Sequence, residues 1–240
     1  MPAQRTVVLT GAGGGVGTEA TARFLAEGDR VVAVDRDEES LSVLAERFDV
    51  TTVTADVSDP DDVRRVIEVA GDVDVMVNNA AVIDRLGRVH EADLGEWNRL
   101  LAINLTGPYL FCHEVLPGML DRGKGTIVNV ASVAGLRGGR AGAAYTASKH
   151  GLVGMTLNIA ATLGGRGIRS NAVCPGSIRT AMQSVPQDFP DAIATITRDS
   201  LKPPPAEPGE IADVVVYLAS DRSARINGVA LPVDGAYLAF

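Results

Sequence analysis

The stretch "TGAGGGVG", from Thr10 to Gly17, joins a short apolar segment to a longer amphipathic one. The preceding "RTVVLT" (residues 5–10) has the composition of a buried strand, and the following "VGTEATARFLAEG" (residues 16–28) has the pattern of a helix. Glycines let the backbone approach a ligand closely, and a helix N-terminus presents free N–H groups and a positive dipole end to an anion. The stretch therefore predicts a phosphate-binding loop, with an ordinary glycine-rich turn as the alternative.

The glycine spacing of this loop departs from the pattern G-x-G-x-x-G. Counted from Gly11, the third glycine would fall at Val16, and a count from Gly13 fails in the same way. The spacing that fits is T-G-x-x-x-G-x-G, with Gly11, Gly15 and Gly17. Because a glycine motif alone is a weak signal, the loop has to be interpreted with the segments around it.

Short segments rich in Val and Ile alternate with longer amphipathic segments along the whole chain. This alternation indicates parallel strands joined by right-handed crossovers, with helices on both faces of the sheet. We therefore predict an α/β fold: a Rossmann-type, doubly wound, seven-stranded parallel sheet in a three-layer αβα arrangement. The later predicted strands are residues 30–35, 50–57, 73–80, 125–132, 168–176 and 228–235. The later predicted helices are residues 38–48, 59–71, about 97–119, about 143–163 and 208–220.

Length and composition exclude several classes of protein. The 240 residues, of which 46% are hydrophobic, suit one large α/β domain over residues 1–240. A net charge of −8 argues against a nucleic-acid partner. No apolar run reaches the roughly 18 residues of a membrane span, and no signal-peptide pattern precedes the first strand. We therefore expect a cytoplasmic protein without a membrane partner.

The cysteines and histidines show no pattern typical of a metal site. Cys112 and Cys174 are far apart in the sequence and lie in apolar contexts, as buried thiols in a reducing compartment do. His90, His113 and His150 have no partners at catalytic or metal-ligand spacing. We predict that no metal is bound.

The most irregular region runs from residue 180 to residue 208 and holds six of the twelve prolines. It follows the sixth predicted strand, at the carboxyl end of the sheet. Ligands of open α/β sheets bind beyond the carboxyl ends of the strands. We therefore predict that residues 181–208 form a loop that covers the substrate.

An acidic residue ends the second predicted strand, "RVVAVD". This residue, Asp35, follows Gly17 by 18 positions. A carboxylate there accepts hydrogen bonds from adenosine ribose hydroxyls and repels a 2′-phosphate. The glycine loop has no Arg or Lys to hold that phosphate, so we predict NAD(H) as the cofactor. Arg36 is the argument against this prediction, because its guanidinium is able to pair with a phosphate. For Asp35, the alternative is a helix-capping role.

The segment "YTASKH", residues 145–150, places Lys149 four positions after Tyr145. Residues at this spacing share a helix face, and a cation beside a phenol favours the phenolate. A free phenol titrates near pH ~10, so such a tyrosine would exchange protons closer to neutral pH. Four tyrosines and three lysines give roughly 0.05 such pairs by chance. The alternative is an accidental spacing on a surface helix.

In this order, the glycine loop, Asp35 and the Y-x-x-x-K motif resemble the short-chain dehydrogenase/reductase family, in its single-domain branch. The resemblance covers essentially the whole chain. Ala81 is a departure, since it stands where the family motif N-N-A-G has Gly, and this puts only the approach to the adenosine side in doubt. The further matching motifs are "ADV" (55–57), "NNAA" (78–81), "INLTG" (103–107), "NVAS" (129–132), "PGSIRT" (175–180) and "LPVDGA" (231–236).

The resemblance implies a catalytic set. Tyr145 is expected to be the general acid/base, and Lys149 to lower its pKa and to hydrogen-bond the nicotinamide ribose. Ser132 is expected to hold the substrate oxygen. Asn104 is expected to position a water that links Lys149 to solvent. The ordinary alternatives are a cap for Ser132, a backbone hydrogen bond for Asn104 and a solvated helix position for Lys149.

The resemblance also implies a cofactor site, with Asp56 on the adenine amine. The Ile178 backbone and the Thr180 hydroxyl are expected to hold the nicotinamide carboxamide. The residues expected to bind the cofactor are Gly11, Gly15, Val16, Gly17, Asp35, Asp56, Val57, Asn79, Ala80, Tyr145, Lys149, Pro175, Gly176, Ile178 and Thr180.

The expected function is an NAD(H)-dependent oxidoreductase that interconverts a secondary alcohol and its ketone. The substrate would be small and cyclic, aliphatic or hydroxyacyl, and Arg137, Arg140 and Arg179 are candidates to meet an anionic group on it. Two alternatives stay open: a non-catalytic NAD(H)-binding or scaffold protein, and an epimerase or dehydratase with the same motifs. Small residues on the helix from residue 143 lead us to expect a homotetramer, or a homodimer. They are Gly142, Ala143, Ala144, Ala147, Gly151 and Gly154.

Overall fold

The computed structural model describes residues 4–180, 188–189, 191, 193–194 and 203–239. The strands are β1 (Thr6–Thr10), β2 (Arg30–Asp35), β3 (Thr51–Thr54), β4 (Val75–Asn78), β5 (Gly125–Val130), β6 (Ile168–Pro175) and β7 (Ala230–Val233). The α-helices are α1 (Gly15–Ala26), α2 (Glu38–Arg47), α3 (Pro60–Ala70), α4 (Leu94–Leu101), α5 (Gly107–Arg122), α6 (Ala143–Leu163) and α7 (Pro208–Ala219). Shorter turns are a π-helical turn (Ala102–Thr106) and 3₁₀ turns at Val133–Gly135, Gly164–Arg166 and Asp221–Ser223.

Within the described residues, seven strands form one parallel sheet in the order β3-β2-β1-β4-β5-β6-β7. The chain first builds outward from β1 to β3 and then returns to add β4 on the other side of β1. The carboxyl ends of β1 and β4 therefore flank the point where the strand order reverses, which is the usual ligand crevice of such sheets. The predicted fold class is confirmed.

Both faces of the sheet are buried, as parallel strands require. Val7 and Leu9 of β1 pack on one side with helices α1, α2 and α7. Val8, between them, packs on the other side with helices α3, α5 and α6. Because successive strand side chains point to opposite faces, the Val-rich strands supply both helix layers with apolar surface. The result is the predicted three-layer arrangement.

Some boundaries differ from the sequence prediction, for local reasons. The long helix predicted from about residue 97 begins at Leu94, because Asp93 caps it by accepting a hydrogen bond from the Glu96 backbone N–H at 2.7 Å. A π-helical turn then interrupts it before α5. The third strand ends at Thr54 instead of Val57. Its continuation turns away where the Asp56 backbone N–H donates to the Asp62 carboxylate at 2.8 Å.

The predicted covering loop, residues 181–208, lies mostly outside the described residues. The part that is described includes 203–208, which leads into α7. In the described ranges, no helix combines the length and the apolar character needed to cross a membrane.

Candidate active site

A cavity of about 430 Å³ opens at the carboxyl ends of the strands, beside the reversal in strand order. This volume lies within the usual range for small-molecule sites. Fourteen of the fifteen predicted cofactor residues line it, and Gly17 is the one outside the described wall. Of the predicted catalytic residues, Ser132, Tyr145 and Lys149 line it, and Asn104 does not. Other wall residues are Gly14, Arg36, Ala55, Ala81, Val82, Ile83, Ile103, Val130, Ala131, Val133, Arg140, Ala141, Ser177 and Tyr237.

The glycine loop needs its glycines for two different reasons. Gly11 has a φ of +66°, and a Cβ on it would lie 2.8 Å from the Cα of Ala80. Gly17 lies inside α1, where a Cβ would come within 2.1 Å of the Gly11 carbonyl oxygen. Gly17 therefore allows the helix to pack against its own loop. It does not line the described cavity, and its predicted part in cofactor binding stays a prediction. The N-terminus of α1 faces the cavity through Gly14, Gly15 and Val16.

Asp35 stands at the end of β2 and lines the cavity. Its Oδ2 accepts a hydrogen bond from the Gly13 backbone N–H at 3.0 Å, and its Oδ1 accepts one from the Asp37 N–H at 3.2 Å. These contacts fix the carboxylate beside the glycine loop. Asp56 lines the same wall. Its Oδ1 accepts hydrogen bonds from the backbone N–H and the hydroxyl of Ser58, which orient the carboxylate.

Asn79 ties the end of β4 to the glycine loop. Its Nδ2 donates to the carbonyl oxygens of Thr10 and Gly11, each at 3.0 Å. The Thr10 hydroxyl accepts from the backbone N–H groups of Asn79 and Ala80 in return. The pair of segments that forms the floor of the crevice is therefore held together by reciprocal hydrogen bonds.

The cavity wall is suited to a dinucleotide. One end carries a carboxylate at Asp35, the middle presents the N-terminus of α1, and the other end carries Tyr145 and Lys149. A carboxylate for a ribose and N–H groups for phosphates are features that a nicotinamide dinucleotide requires, and an acid/base group serves the oxygen of the substrate beside the nicotinamide. The residues of this chain therefore fit a nicotinamide dinucleotide.

The tyrosine and lysine of the Y-x-x-x-K motif both lie on the buried side of α6. Tyr145 is 8% exposed and Lys149 is 1% exposed. The Lys149 Nζ donates to the Val130 carbonyl oxygen at 2.8 Å and lies 5.6 Å from the centroid of the Tyr145 ring. Ser132 follows β5, where its Oγ accepts from the Ala134 N–H at 3.1 Å. The solvated position considered for Lys149 is therefore wrong.

The proton affinities differ from the sequence expectation. Burial raises the pKa of Tyr145 to about 12, a hydrogen bond with Ser132 opposes the rise, and the charge of Asp84 adds to it. Burial lowers the pKa of Lys149 to about 8. The expected lowering of the Tyr145 pKa by Lys149 is not seen, because desolvation of the phenol outweighs a cation whose ammonium is directed at the Val130 carbonyl.

Asn104 lies in the π-helical turn between α4 and α5 and is fully buried. Its Oδ1 accepts from the Val82 N–H at 2.9 Å, and its Nδ2 donates to the Val82 carbonyl at 2.8 Å and to the Ser148 hydroxyl at 3.3 Å. The Ser148 hydroxyl in turn donates to the Tyr145 carbonyl at 2.8 Å. The amide therefore joins the segment after β4 to the helix that carries Tyr145. Its predicted role in holding a water stays a prediction.

The segment after β6 forms the far wall of the cavity. Ile178 pairs with Ala206 in an isolated parallel bridge, and the Ala206 N–H donates to the Ser177 carbonyl at 2.9 Å. The Thr180 N–H donates to the Ile178 carbonyl at 2.9 Å. Ala206 thus supports the segment predicted to hold the nicotinamide carboxamide.

Only one of the three candidate arginines belongs to the described wall of the cavity. The Arg140 guanidinium lies over the Tyr237 ring, 4.1 Å from its centroid, and both residues line the cavity. Arg179 instead pairs with Glu207 at 2.7 Å, and Arg137 donates to the Leu136 carbonyl. Tyr237 was not predicted as a site residue. Its only sequence signal is that it is an aromatic residue beside the "LPVDGA" motif in a chain with 4% aromatic residues.

Asp84 is the second site residue that the sequence did not indicate. It is 1% exposed, and its carboxylate accepts hydrogen bonds from the N–H groups of Leu86, Gly142 and Tyr145. Nothing in the sequence around it marks this role, since its partners on α6 lie 58 and 61 residues away.

Comparisons with known proteins agree with this site. A family model described as enoyl-(acyl carrier protein) reductase matches residues 11–237. The chain is 38% identical to 2-(R)-hydroxypropyl-CoM dehydrogenase of Xanthobacter autotrophicus, over 98% of this chain and 99% of the relative. The structure of levodione reductase matches with a TM-score of 0.88 at 35% identity, over 98% of both chains.

A further structural relative, from Beutenbergia cavernae, is described as an NAD(P)-dependent gluconate 5-dehydrogenase and contains NADP at low occupancy. It matches with a TM-score of 0.87 at 34% identity, over 100% of this chain and 98% of the relative. These relatives are named for dehydrogenation of hydroxyl-bearing substrates or for reduction. The chain therefore belongs to the short-chain dehydrogenase/reductase family and is an oxidoreductase that acts on CH–OH groups and the corresponding carbonyls.

Proposed function

We propose that this protein uses NAD(H) rather than NADP(H) to interconvert a secondary alcohol and its ketone. The observation that carries this choice is the Asp35 carboxylate in the cavity wall, held by the Gly13 N–H at 3.0 Å. A ribose 2′-phosphate placed against it would meet like charge in a partly buried site. Arg36 lines the same cavity and is the counter-argument, as is the NADP of the Beutenbergia cavernae relative.

The cofactor supplies hydride transfer to or from the carbinol carbon. In the oxidation direction, the Tyr145 phenolate takes the proton of the substrate hydroxyl as the carbon loses its hydride. In reduction, the Tyr145 phenol gives that proton to the carbonyl oxygen. The Ser132 hydroxyl donates to the same oxygen and holds it near Tyr145. The positive charge of Lys149, whose Nζ lies 5.6 Å from the centroid of the Tyr145 ring, would offset part of the rise that burial gives to the Tyr145 pKa.

The position of Arg140 favours a substrate that carries an anionic group. Its guanidinium lies in the cavity wall against Tyr237, so a carboxylate or a similar anion at this end would find a charge-assisted donor. We expect Arg140→Ala to raise KM for hydroxy acids much more than for neutral secondary alcohols. Equal changes in KM for the two classes would contradict this assignment. Arg137→Ala is the matched control, because its guanidinium donates to the Leu136 carbonyl outside the cavity wall.

The test of the chemistry follows NADH absorbance with a panel of secondary alcohols and hydroxy acids. The wild type is compared with Tyr145→Phe, which removes the acid/base hydroxyl and leaves the ring. We expect turnover only in the wild type, with NAD binding preserved in both proteins. Full activity in Tyr145→Phe would overturn the assignment of the acid/base.

The test of cofactor choice compares NAD with NADP in Asp35→Asn. Removing the charge while keeping the size should raise the ratio of kcat/KM for NADP to that for NAD by about tenfold or more, since one like-charge contact is worth roughly 1.4 kcal/mol or more in such a site. Asp37→Asn is the control, because Asp37 caps α2 through the Glu39 N–H and lies near Asp35. A wild type that prefers NADP would refute the proposal.

Three broader proposals concern the domain, the compartment and the assembly. We propose that residues 1–240 act as a single domain and that the protein works in the cytoplasm, which suits the two buried free cysteines Cys112 and Cys174. We also propose a homotetramer, or a homodimer. Support comes from one large exposed apolar side chain on each of three neighbouring helices: Leu94 on α4, Tyr109 on α5 and Leu157 on α6.

A further inference from the structure

The first turn of the catalytic helix is held by a carboxylate from a distant part of the chain. Helix α6 has glycine at its N-cap, Gly142, and within the described residues no N-cap side chain bonds to its free N–H groups. Asp84, in the segment after β4, fills this role. It accepts from the Gly142 N–H at 3.2 Å and from the Tyr145 N–H at 3.0 Å. Tyr145 is the third helical residue, a position whose N–H has no partner inside the helix.

Asp84 and Gly142 pack closely against each other. A Cβ on Gly142 would lie 2.4 Å from the Asp84 Oδ2, so any larger N-cap residue would displace the carboxylate. The Leu86 N–H donates a third hydrogen bond to Asp84 at 3.1 Å. The neighbouring Gly87 carbonyl accepts from the Ala143 N–H at 3.0 Å. The segment 84–87 therefore binds the beginning of α6 at several points.

We propose that Asp84 is a positioning residue for Tyr145: its carboxylate anchors the turn that carries the phenol and places a negative charge behind it. The proposal rests on the acid/base role proposed for Tyr145. A remote cap of this kind has two separable effects. The hydrogen bonds set where the phenol points, and the charge opposes formation of the phenolate.

The charged groups around this pair define the electrostatic part of the proposal. Tyr145 is hydrogen-bonded to Ser132 and lies near Lys149 on its own helix, and Arg140 and Tyr237 line the same cavity. Asp84 faces Glu96 of α4, whose charge raises the Asp84 pKa further after the main cause, which is burial. The backbone N–H groups oppose that rise and favour the carboxylate. Arg85, the next residue, is engaged with Glu96 at 3.3 Å and with Asp93 at 2.8 Å.

The substitution Asp84→Asn tests both effects with little change of shape. Three N–H donors meet two carboxylate oxygens in the wild type, whereas an amide would present an NH₂ group to at least one of them. The negative charge is also removed. Asp84→Ser is the second variant, because it is neutral and keeps one acceptor oxygen. Asp93→Asn is the matched control, since Asp93 caps α4 through the Glu96 N–H at 2.7 Å and is exposed.

The first readout needs no substrate. Protein labelled with ¹³C at tyrosine Cζ gives resonances from four tyrosines, and the one lost in Tyr145→Phe is Tyr145. We expect its ionisation to begin at lower pH in Asp84→Asn and Asp84→Ser than in the wild type, and to be unchanged in Asp93→Asn. Identical titration in all four proteins would overturn the proposal. Loss of cooperative melting in both Asp84 variants would also overturn it, because Asp84 would then serve the fold instead of the site.

The second readout uses the alcohol on which the wild type is most active in the panel. We expect Asp84→Asn to lower kcat by about 10- to 100-fold with less than about a threefold change in KM, and to move the rising limb of the kcat–pH profile to lower pH. Unchanged kcat and an unmoved profile would contradict a positioning role. If Tyr145→Phe is fully active, the proposed acid/base role fails, and the nuclear magnetic resonance titration still decides whether Asp84 controls this phenol.

Discussion

At the scale of one residue, burial of the Lys149 ammonium in the candidate active site lowers the stability of the folded chain. Lys149 is 1% exposed, and burial lowers its pKa from 10.5 to about 8. Below pH 8, both the folded and the unfolded chain hold the proton, so the whole cost of burying the ammonium is present. Between pH 8 and 10.5 the folded state releases its proton first, and stability recovers as the pH rises.

We therefore expect Lys149→Met to raise the free energy of unfolding at pH 7 by about 2 kcal/mol. Removing the buried ammonium should stabilise the fold by about 3 kcal/mol, and losing its hydrogen bond to the Val130 carbonyl should destabilise it by about 1 kcal/mol. The gain should shrink between pH 8 and 10.5, as measured by urea unfolding across that range. Lys124→Met, at an exposed position, is the control and should change little. A gain that does not depend on pH would contradict the electrostatic explanation.

At the scale of elements, one arginine of β6 holds the end of the last helix. The Arg169 guanidinium donates to the carbonyl oxygens of Leu218, Ser220, Ser223 and Ile226, and to the Thr126 hydroxyl. The last carbonyls of a helix have no partners within it, so a cation at this place satisfies them and also suits the negative end of the dipole. This contact links the carboxyl end of α7 to the amino end of β6.

We expect Arg169→Met to lower the free energy of unfolding by about 3 kcal/mol, because several buried carbonyls would lose charge-assisted hydrogen bonds. For a chain of this size, that corresponds to a fall in Tm of roughly 6–12 °C, measurable by calorimetry. Arg166→Met, in the 3₁₀ turn just before β6 and exposed, should leave Tm nearly unchanged. Equal effects of the two substitutions would mean that the contacts to α7 contribute little.

At the scale of the whole molecule, helices α4 to α6 expose apolar surface while three of the small residues on α6 pack inside the chain. A Cβ on Gly151 would lie 2.7 Å from the Leu105 side chain, Gly142 faces Asp84, and Ala144 is fully buried. Gly154 has open space around it. The stripe of small residues is therefore shared between internal packing and an exposed face, and only the second part supports assembly.

We expect light scattering to give the mass of a tetramer at micromolar concentration. Tyr109→Glu should shift that mass towards smaller species, because a charge would be buried at a site that is 52% exposed in one chain. Val69→Glu, which introduces the same charge on α3 at a 43% exposed position, is the control. A wild-type monomer would refute the assembly prediction.

The elements and the site differ in how far they could be predicted. The strand–helix alternation and the boundaries of β2 and α6 agree with the sequence prediction, because apolar periodicity and breakers act over a few residues. The motifs that carry the family resemblance predicted a set of site residues, most of which line the cavity. The π-helical turn at Asn104 and the early start of α4 at Asp93 were missed, since both depend on hydrogen bonds to the segment around them.

Local patterning in the chain was enough to indicate the fold, the glycine loop and the pairing of Tyr145 with Lys149, because each depends on neighbours within about one helical turn. The fold itself was needed to separate Arg140 from Arg137 and Arg179, to bring Tyr237 into the cavity and to place Asp84 under Tyr145. Those contacts join segments that the crossovers bring together at the carboxyl edge of the sheet. The same folding raised the proton affinity of Tyr145, since burial of the phenol is a property of the packed molecule and not of a motif.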